Sequence, residues 1–371
     1  MTIADAPQMT EGARLVRPEV RALRTYHLAP PAGGPPAGAM IRLHQNEAPE
    51  DWPDGIKREI SERLVAAPWH RYPSARADDL CRAIAEMQGT PATMIAATAG
   101  SNEAVWAACA AFAAGGTAVF PVPTYTMART LAIAAGARVV EVPLGRDFAL
   151  DAEAVLRAAH AHRAGLIYLA SPNNPTGNAF ARAAVEAVVA GAPGAVVIDE
   201  AYWEFASASF LDEMRRAPHV VLLRTFSKAL ASASLRIGWI TAHDSVIAEL
   251  NKVLAPYSLN LPAQIAGPIL VAHRDVAWAR VRAIVAERER VAQALRARGM
   301  RVYPSETNFL LFEPGRPPAD VWRALALRGV LVRDVSGAPR LATCLRVSIG
   351  MPADNDRFLG ALAEVVAEVS P

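Results

Sequence analysis

A lysine, Lys228, follows a short apolar segment and stands among small hydroxyl residues. The segment, residues 219–223, is rich in branched apolar residues and predicts a buried strand. Thr225 and Ser227 precede the lysine, and Arg236 follows it. An amine at a strand end can form a Schiff base with an aldehyde, while hydroxyl groups and an arginine can hold an anion. The stretch therefore indicates a site for an aldehyde cofactor that carries a phosphate, although an ordinary solvated loop would use similar residues.

A carboxylate, Asp199, ends a second apolar segment, residues 195–198. A carboxylate at the end of a buried strand costs free energy unless it meets a cation. A pyridinium nitrogen supplies such a cation, and the carboxylate keeps that nitrogen protonated, which makes the ring an electron sink. Tyr202 follows closely and is placed to donate to the phenolic oxygen of the same ring. Tyr125 is a candidate to stack on the ring.

Two loops carry further ligand candidates. Gly100, Ser101 and Asn102 stand between a predicted strand and an alanine-rich helix. Free backbone N–H groups at a helix start bind phosphate, although the same residues also serve as a plain helix cap. In the loop of residues 171–177, Asn174 precedes a proline and is therefore held extended, so its amide can point at a ligand.

The elements that carry these residues alternate along the chain. Between about residues 94 and 241, short apolar strands alternate with helical segments, which is typical of a mainly parallel sheet covered by helices. Ligands of such sheets bind beyond the carboxyl ends of the strands. A long helical region at residues 264–298 then begins an α+β pattern. We therefore expect an α/β protein with an N-terminal arm (1–44), a large cofactor-binding domain (45–262) and a small α+β domain (263–371).

Composition and charge narrow the class of protein. The chain has 371 residues, of which 52% are hydrophobic and 20% charged, and its net charge is +2. It contains neither a basic cluster typical of a nucleic-acid groove nor an apolar segment of the roughly 20 residues that span a bilayer. The start of the chain lacks signal-peptide features, and its three widely separated cysteines favour reduced thiols. We expect a cytoplasmic protein that binds neither nucleic acid nor membrane and has no metal site.

The ordered set of motifs resembles that of the fold type I pyridoxal-phosphate aminotransferases. The resemblance runs from about Tyr26 to Leu362, and the motifs look most like those of histidinol-phosphate aminotransferases. They are, in chain order, RYP (71–73), GSNE (100–103), PTY (123–125), SPNNPTG (171–177), DEAYWEF (199–205), RTFSKA (224–229), LRIG (235–238), ERERV (287–291), YPSETNF (303–309), VRD (332–334) and LRVSIG (345–350).

The resemblance implies pyridoxal phosphate as the cofactor and gives the candidate residues their roles. Lys228 would be the Schiff-base lysine and general base, and Asp199 would pair with the ring nitrogen. Asn174 and Tyr202 would contact the phenolic oxygen of the ring, and Tyr125 would stack on it. The cofactor phosphate would be held by Gly100, Ser101, Asn102, Thr225, Ser227, Arg236 and, from a neighbouring subunit, Tyr72. The last contact implies a homodimer with shared active sites.

The resemblance also implies the substrates. Arg346 matches the residue that binds the substrate α-carboxylate as a bidentate pair. Arg333 matches the residue that contacts the phosphate of histidinol phosphate, together with Tyr26 of the N-terminal arm. Asn46 and Asn174 complete the substrate set. The implied reaction moves an amino group from a small-molecule donor, histidinol phosphate, to a 2-oxo acid, 2-oxoglutarate. Both arginines stand in predicted strands near an edge of the sheet, so each could instead be an ordinary surface arginine.

Several residues depart from the family pattern. Ala128 stands where many relatives carry a second tyrosine, Ser234 replaces a usual glycine, and His44 and Gln45 replace smaller residues. These changes concern the substrate side, so an aminotransferase for aromatic or other amino acids and a decarboxylase of phosphorylated amino acids stay open. A regulatory module without turnover is a further alternative, but it would need an attached DNA-binding domain, and residues 1–38 are too short and too rich in proline for one.

Overall fold

The computed structural model describes residues 11–25, 35 and 39–368. Within this part of the chain, none of the helices combines the length and the apolar character that a membrane span requires. The strands are β1 (Ile41–Arg42), β2 (Ile95–Thr98), β3 (Thr117–Val122), β4 (Arg138–Pro143), β5 (Leu166–Ala170), β6 (Ala195–Asp199), β7 (Val220–Thr225), β8 (Gly238–Thr241), β9 (Arg301–Val302), β10 (Phe309–Glu313), β11 (Val330–Leu331), β12 (Arg333–Asp334) and β13 (Leu345–Ser348).

The strands form sheets of seven, four and two strands, and α-helices connect many of them. They are α1 (Glu11–Arg14), α2 (Pro18–Arg21), α3 (Asp54–Ala66), α4 (Asp78–Gln88), α5 (Ser101–Phe112), α6 (Thr126–Ala134), α7 (Ala152–Ala161), α8 (Arg182–Gly191), α9 (Leu211–Arg216), α10 (Asp244–Val253), α11 (Leu261–Ala272), α12 (Arg274–Arg296), α13 (Pro318–Leu327) and α14 (Pro352–Glu368).

The large sheet has seven strands in the order β2-β8-β7-β6-β5-β3-β4. Its pairs are parallel except for those that β8 makes with β2 and β7. Alternate residues of β7 enter opposite apolar clusters, with Val220 and Leu222 on one face and Val221 and Leu223 on the other. Helices cover both faces, so an uninterrupted apolar segment is what such a strand needs. The predicted α/β class with a mainly parallel sheet is confirmed.

The small sheet has four antiparallel strands in the order β12-β13-β10-β9, and α12, α13 and α14 contribute to the apolar cluster that covers it. Strand β1 pairs with β11, and Ser348 at the end of β13 donates its backbone N–H to the carbonyl oxygen of Leu43. Residues 41–43, which precede the site residue Asn46, therefore run beside β11 and the end of β13. Register places Arg333 directly opposite Arg346.

The predicted helical region of residues 264–298 consists of two helices that meet at His273. Helix α11 packs on α3 and α4, within the apolar cluster that includes Trp239 of β8. Helix α12 packs against β9, β10 and α14. The expected boundary between residues 262 and 263 falls inside α11, and the division into domains stays a prediction. The pattern of apolar residues could not reveal the break, because both helices are apolar on the face that they bury.

Candidate active site

The carboxyl ends of the parallel strands β5, β6 and β7 share one edge of the large sheet, as the sequence predicts for its ligand site. A cavity of about 400 Å³ lies at this edge. It is lined by twelve of the residues predicted to bind cofactor or substrate, namely Asn46, Ser101, Asn102, Tyr125, Asn174, Asp199, Tyr202, Thr225, Ser227, Lys228, Arg236 and Arg346. The fold therefore brings together residues that are widely separated in the chain.

Lys228 reaches across this cavity to the chain that precedes α3. Its Nζ donates to the backbone oxygens of Gln45 at 3.1 Å and of Asn46 at 3.0 Å. Burial first, and then the positive charges of Arg346 and Arg236, lower the pKa of the lysine to about 7 against the opposing effect of Glu47. An amine must be neutral to attack an aldehyde, so a pKa near 7 makes Lys228 a competent nucleophile and base at neutral pH.

Asp199 is buried at the end of β6 and accepts two hydrogen bonds. Tyr168 Oη donates to Oδ2 at 2.5 Å, and the backbone N–H of Ala201 donates to Oδ1 at 3.0 Å. Burial nevertheless raises the pKa of the carboxyl to about 6. A cation bound in the cavity would stabilise the carboxylate, and a protonated ring nitrogen is such a cation. Tyr168 was missed by sequence reasoning, because it occurs inside an apolar strand.

Asn46 fixes the position of the Tyr202 hydroxyl. Its Nδ2 donates to Tyr202 Oη at 2.8 Å. Ser348 holds Asn46 in turn, because its Oγ accepts from the Asn46 N–H at 2.8 Å and donates to Asn46 Oδ1 at 3.0 Å. Tyr202 Oη is the acceptor in this contact. Its O–H group can therefore donate a hydrogen bond to an oxygen on a bound ring.

The end of the cavity that would receive a phosphate is formed by the start of α5. Gly100 precedes the helix with φ +79°, and a Cβ there would lie 2.3 Å from Arg236 Nη2. Glycine therefore allows the guanidinium to lie against the helix start. The N–H groups at the start of a helix and a neighbouring guanidinium together bind an anion.

Two hydroxyl groups lie on the β7 side of the same cavity. Thr225 Oγ1 donates to Ser227 Oγ at 2.9 Å and accepts from the Ser227 N–H at 3.1 Å. This turn fixes the backbone immediately before Lys228. Together with the buried carboxylate of Asp199 and the amine of Lys228, the anion-binding end fits a phosphorylated pyridine aldehyde.

A second cavity, of about 500 Å³, adjoins the first and shares Tyr125, Asn174 and Arg346 with it. Arg333 and Arg24 also line it. The guanidinium of Arg346 donates from Nη1 to Asn174 Oδ1 at 2.6 Å and from Nη2 to the backbone oxygen of His44 at 2.8 Å. These bonds orient Arg346 at the boundary between the cavities. Sequence reasoning missed Arg24, which belongs to none of the motifs.

A buried ion pair supports the strand ends below the site. Glu200 Oε2 lies 2.7 Å from Arg224 Nη2, and both side chains are almost fully buried. Arg224 Nη1 also donates to Gln88 Oε1 at 2.7 Å, and its guanidinium lies 4.0 Å from the ring centre of Trp203. Because Glu200 and Arg224 adjoin Asp199 and Thr225, the pair holds β6 and β7 in place. Sequence reasoning missed this role, although both residues occur in quoted motifs.

The remaining predicted residues lie elsewhere. Tyr72 is 81% exposed and stacks on Tyr257, with the ring centres 4.6 Å apart. Tyr26 lies outside the described residues. Of the departures from the family pattern, Ser234 lines the cofactor cavity, whereas Ala128 is buried in the apolar cluster around α6. The roles of all these residues toward a cofactor or substrate stay predictions.

Comparison with known proteins identifies the relatives of this chain. The sequence profile of aminotransferase class I and II matches residues 39–362. A histidinol-phosphate aminotransferase of Methylibium petroleiphilum is 37% identical over 364 residues, which cover 96% of this chain and 95% of the relative. One from Desulfitobacterium hafniense is 34% identical, with 95% and 97% covered. The histidinol-phosphate aminotransferase of Sinorhizobium meliloti, solved with pyridoxal-5'-phosphate, has the same fold, with a TM-score of 0.86 at 24% identity over 96% of this chain and 98% of that chain.

Proposed function

Because this chain belongs to the aminotransferases of class I and II, we propose that it transfers the amino group of histidinol phosphate to 2-oxoglutarate. Its cofactor is pyridoxal phosphate, which supplies an aldehyde that binds amines and a ring that withdraws electrons from the substrate Cα. The chain must then bind the ring, hold its nitrogen protonated, move a proton at Cα and recognise two different substrates.

The residues of the first cavity suit the proton transfer. Lys228, once displaced from the cofactor by the substrate amine, is a base with a pKa of about 7 that can take the Cα proton. The buried carboxylate of Asp199 would hold the ring nitrogen protonated. Tyr202 and Asn174 donate to the phenolic oxygen and fix the plane of the ring. Arg346, at the boundary with the second cavity, binds the α-carboxylate of the 2-oxo acid.

The observation that carries the choice of donor is the arginine-lined second cavity, which adjoins the cavity that contains Lys228. Arg333 and Arg24 line it, and Arg346 lies at its boundary with the first cavity. Arg129 is another lining residue, but its charge is balanced by Glu141, whose Oε1 lies 2.7 Å from Arg129 Nε. A phosphate on the donor would place two negative charges among these guanidinium groups. The names of the relatives support the same donor.

Replacing Arg333 with alanine is expected to lower kcat/KM for histidinol phosphate by about 10- to 100-fold, since hydrogen bonds to charged groups contribute on that scale. Turnover of histidinol, which lacks the phosphate, should hardly change. Arg323→Ala is the matched control, because Arg323 is exposed on α13. Steady-state assays of glutamate formation measure both donors. An equal loss for the two donors, or no loss for either, contradicts a phosphate contact, and release of carbon dioxide without glutamate favours a decarboxylase.

We also propose that the protein is a homodimer in which each site uses the partner subunit's Tyr72. An exposed apolar area supports this assembly, because Val65, Trp69, Tyr72 and Tyr257 are all exposed and two of them stack. Apolar areas of this kind are typical of protein interfaces. The tyrosine hydroxyl would donate to the cofactor phosphate across the interface.

Tyr72→Phe is expected to weaken pyridoxal phosphate binding by about 10-fold, because the ring still stacks but one hydrogen bond to a charged group is lost. Chains that carry Tyr72→Phe should regain one site of normal affinity when they are mixed with Lys228→Ala chains, since one mixed site then contains both native residues. Cofactor titration of the mixture measures this. Mixed chains without any high-affinity site, or a monomer by light scattering, contradict the shared site.

We place the reaction in the cytoplasm. Cys81, Cys109 and Cys344 are buried and free. Burial raises the pKa of the Cys81 and Cys344 thiols to about 11 and that of the Cys109 thiol to about 12. Such thiols stay protonated and unreactive at neutral pH, so they act as small apolar core residues, which suits a reducing compartment.

A further inference from the structure

Gln45, the residue before Asn46, lies at the cavity in which the substrate would react. It is half-buried and lines the cavity that contains Lys228 and Arg346. Its backbone oxygen accepts from Lys228 Nζ at 3.1 Å, which places this residue beside the reacting amine. Gln45 therefore forms part of the cavity wall beside the reacting amine.

The amide of Gln45 is held in one orientation by His44. Gln45 Nε2 lies 3.2 Å from His44 Nε2. An amide nitrogen only donates, so the imidazole nitrogen accepts and the ring is neutral. Burial keeps it neutral by lowering the pKa of His44 to about 4, and the positive charges of Arg42, Arg333 and Arg346 act in the same direction. The other end of the amide, Oε1, takes part in none of the hydrogen bonds among the residues that the structure describes. In the same part of the chain, the buried Nδ1 of His44 has no hydrogen-bond partner.

The proposed donor has three polar parts. Its amine reacts at the cofactor beside Lys228, and its phosphate meets Arg333 in the adjoining cavity. The imidazole is the remaining part, and its N–H needs an acceptor when it leaves water. Arg24, Arg333 and Arg346 line this region and only donate. Two carboxylates also line it, but Glu141 is paired with Arg129 and Asp334 accepts from the N–H of Ser336. The neutral Oε1 of Gln45 can accept this hydrogen bond without bringing a second charge close to the lysine.

We propose that Gln45 determines donor specificity by accepting a hydrogen bond from the imidazole N–H of the substrate, an inference that rests on the proposed function. His44 is a positioning residue, which orients the amide and does not touch the substrate. A site that offers an acceptor discriminates against a ring without a donor, because the acceptor then loses its water without gaining a partner. An aromatic donor with a benzene ring is therefore a poorer substrate than its imidazole counterpart.

The test compares histidinol phosphate with phenylalaninol phosphate, which has the same amine and phosphate but a benzene ring. Gln45→Met keeps the length of the side chain and removes the acceptor. It is expected to lower kcat/KM for histidinol phosphate by about 3- to 10-fold, mainly through KM, and to raise kcat/KM for phenylalaninol phosphate, because the benzene ring no longer desolvates an unpaired acceptor. Gln45→Glu keeps an acceptor oxygen and should retain the preference for the imidazole donor. Gln293→Met, at an exposed position of α12, is the control.

The ratio of kcat/KM for histidinol phosphate to kcat/KM for phenylalaninol phosphate separates the possible outcomes. A merely structural role of Gln45 would lower both activities together and leave the ratio as it is in the unaltered enzyme, and that result overturns the inference. An unaltered enzyme that turns over neither phosphorylated donor, but does use other amino acids, overturns the proposed function and this inference with it. A fall of the ratio in Gln45→Met alone, with unchanged cofactor absorbance, supports the inference.

Discussion

Replacing Lys228 with alanine is expected to lower transamination by at least about 10³-fold, because the variant loses both the amine that attaches the cofactor and the general base at Cα. The chain has only three lysines. Lys57 and Lys252 are exposed and paired with carboxylates, so neither can replace the missing amine. Lys252→Ala is the matched control and should keep full activity. Stopped-flow absorbance of the half-reaction with histidinol phosphate measures the effect, and turnover within tenfold of the unaltered enzyme would contradict the role of Lys228.

The pKa of Lys228 adds a pH dependence to this prediction. A folded-state pKa of about 7, below the usual lysine value of 10.5, means that the amine loses its proton as the pH rises through 7. Capture of added pyridoxal phosphate by the apoprotein should therefore become faster between about pH 6 and pH 8, and should level off above. An increase that begins only above about pH 9 would show that the lysine is an ordinary ammonium group.

Replacing Asp199 with asparagine is expected to lower the rate of proton transfer at Cα by about 10²- to 10³-fold. Asparagine has the same shape but cannot stabilise a protonated ring nitrogen, and breaking a buried ion pair costs about 3–5 kcal/mol. The effect falls on catalysis more than on cofactor attachment, because Lys228 is unchanged. Single-turnover absorbance measures the rate, and borohydride reduction shows whether the cofactor is still attached.

Asp212→Asn is the control for this variant, since Asp212 is an exposed residue of α9. In the unaltered enzyme Tyr168 donates to Oδ2 of Asp199 and the N–H of Ala201 donates to Oδ1. Asparagine keeps one acceptor oxygen for the Ala201 N–H, and its Nδ2 can donate to the hydroxyl oxygen of Tyr168. The fold should therefore be retained. A rate within threefold of that of the unaltered enzyme, measured on protein that carries the cofactor, would exclude the proposed pairing with the ring.

The sequence predicted the cofactor cavity better than it predicted the substrate side. Asp199 and Lys228 each follow an apolar strand segment, and parallel strands bring such ends together whatever their separation in the chain. Two physical rules, the strand pattern and the cost of a buried charge, were therefore sufficient to predict that Asp199 and Lys228 lie at the same edge of the sheet. Tyr168 could not be found in this way, since a strand buried on both faces accepts a tyrosine as readily as a leucine unless its hydroxyl partner is known.

The substrate side depends on tertiary contacts that no local pattern encodes. Arg333 and Arg346 became candidates only through a resemblance, and their adjacency follows from the register of β12 and β13. Arg24 enters the second cavity from the N-terminal part of the chain without belonging to a motif. Gln45 contributes a backbone carbonyl to Lys228, and backbone groups leave no trace in the residue types.

Borohydride reduction of the purified protein with pyridoxal phosphate, followed by peptide mapping, tests the central claim most directly. With only three lysines in the chain, the attached cofactor can be assigned to one side chain without ambiguity. We predict that the peptide containing Lys228 carries the reduced cofactor, and that Lys57 and Lys252 stay unmodified. Label on either of those two lysines, or a protein that holds no reducible cofactor, would contradict this account of the active site.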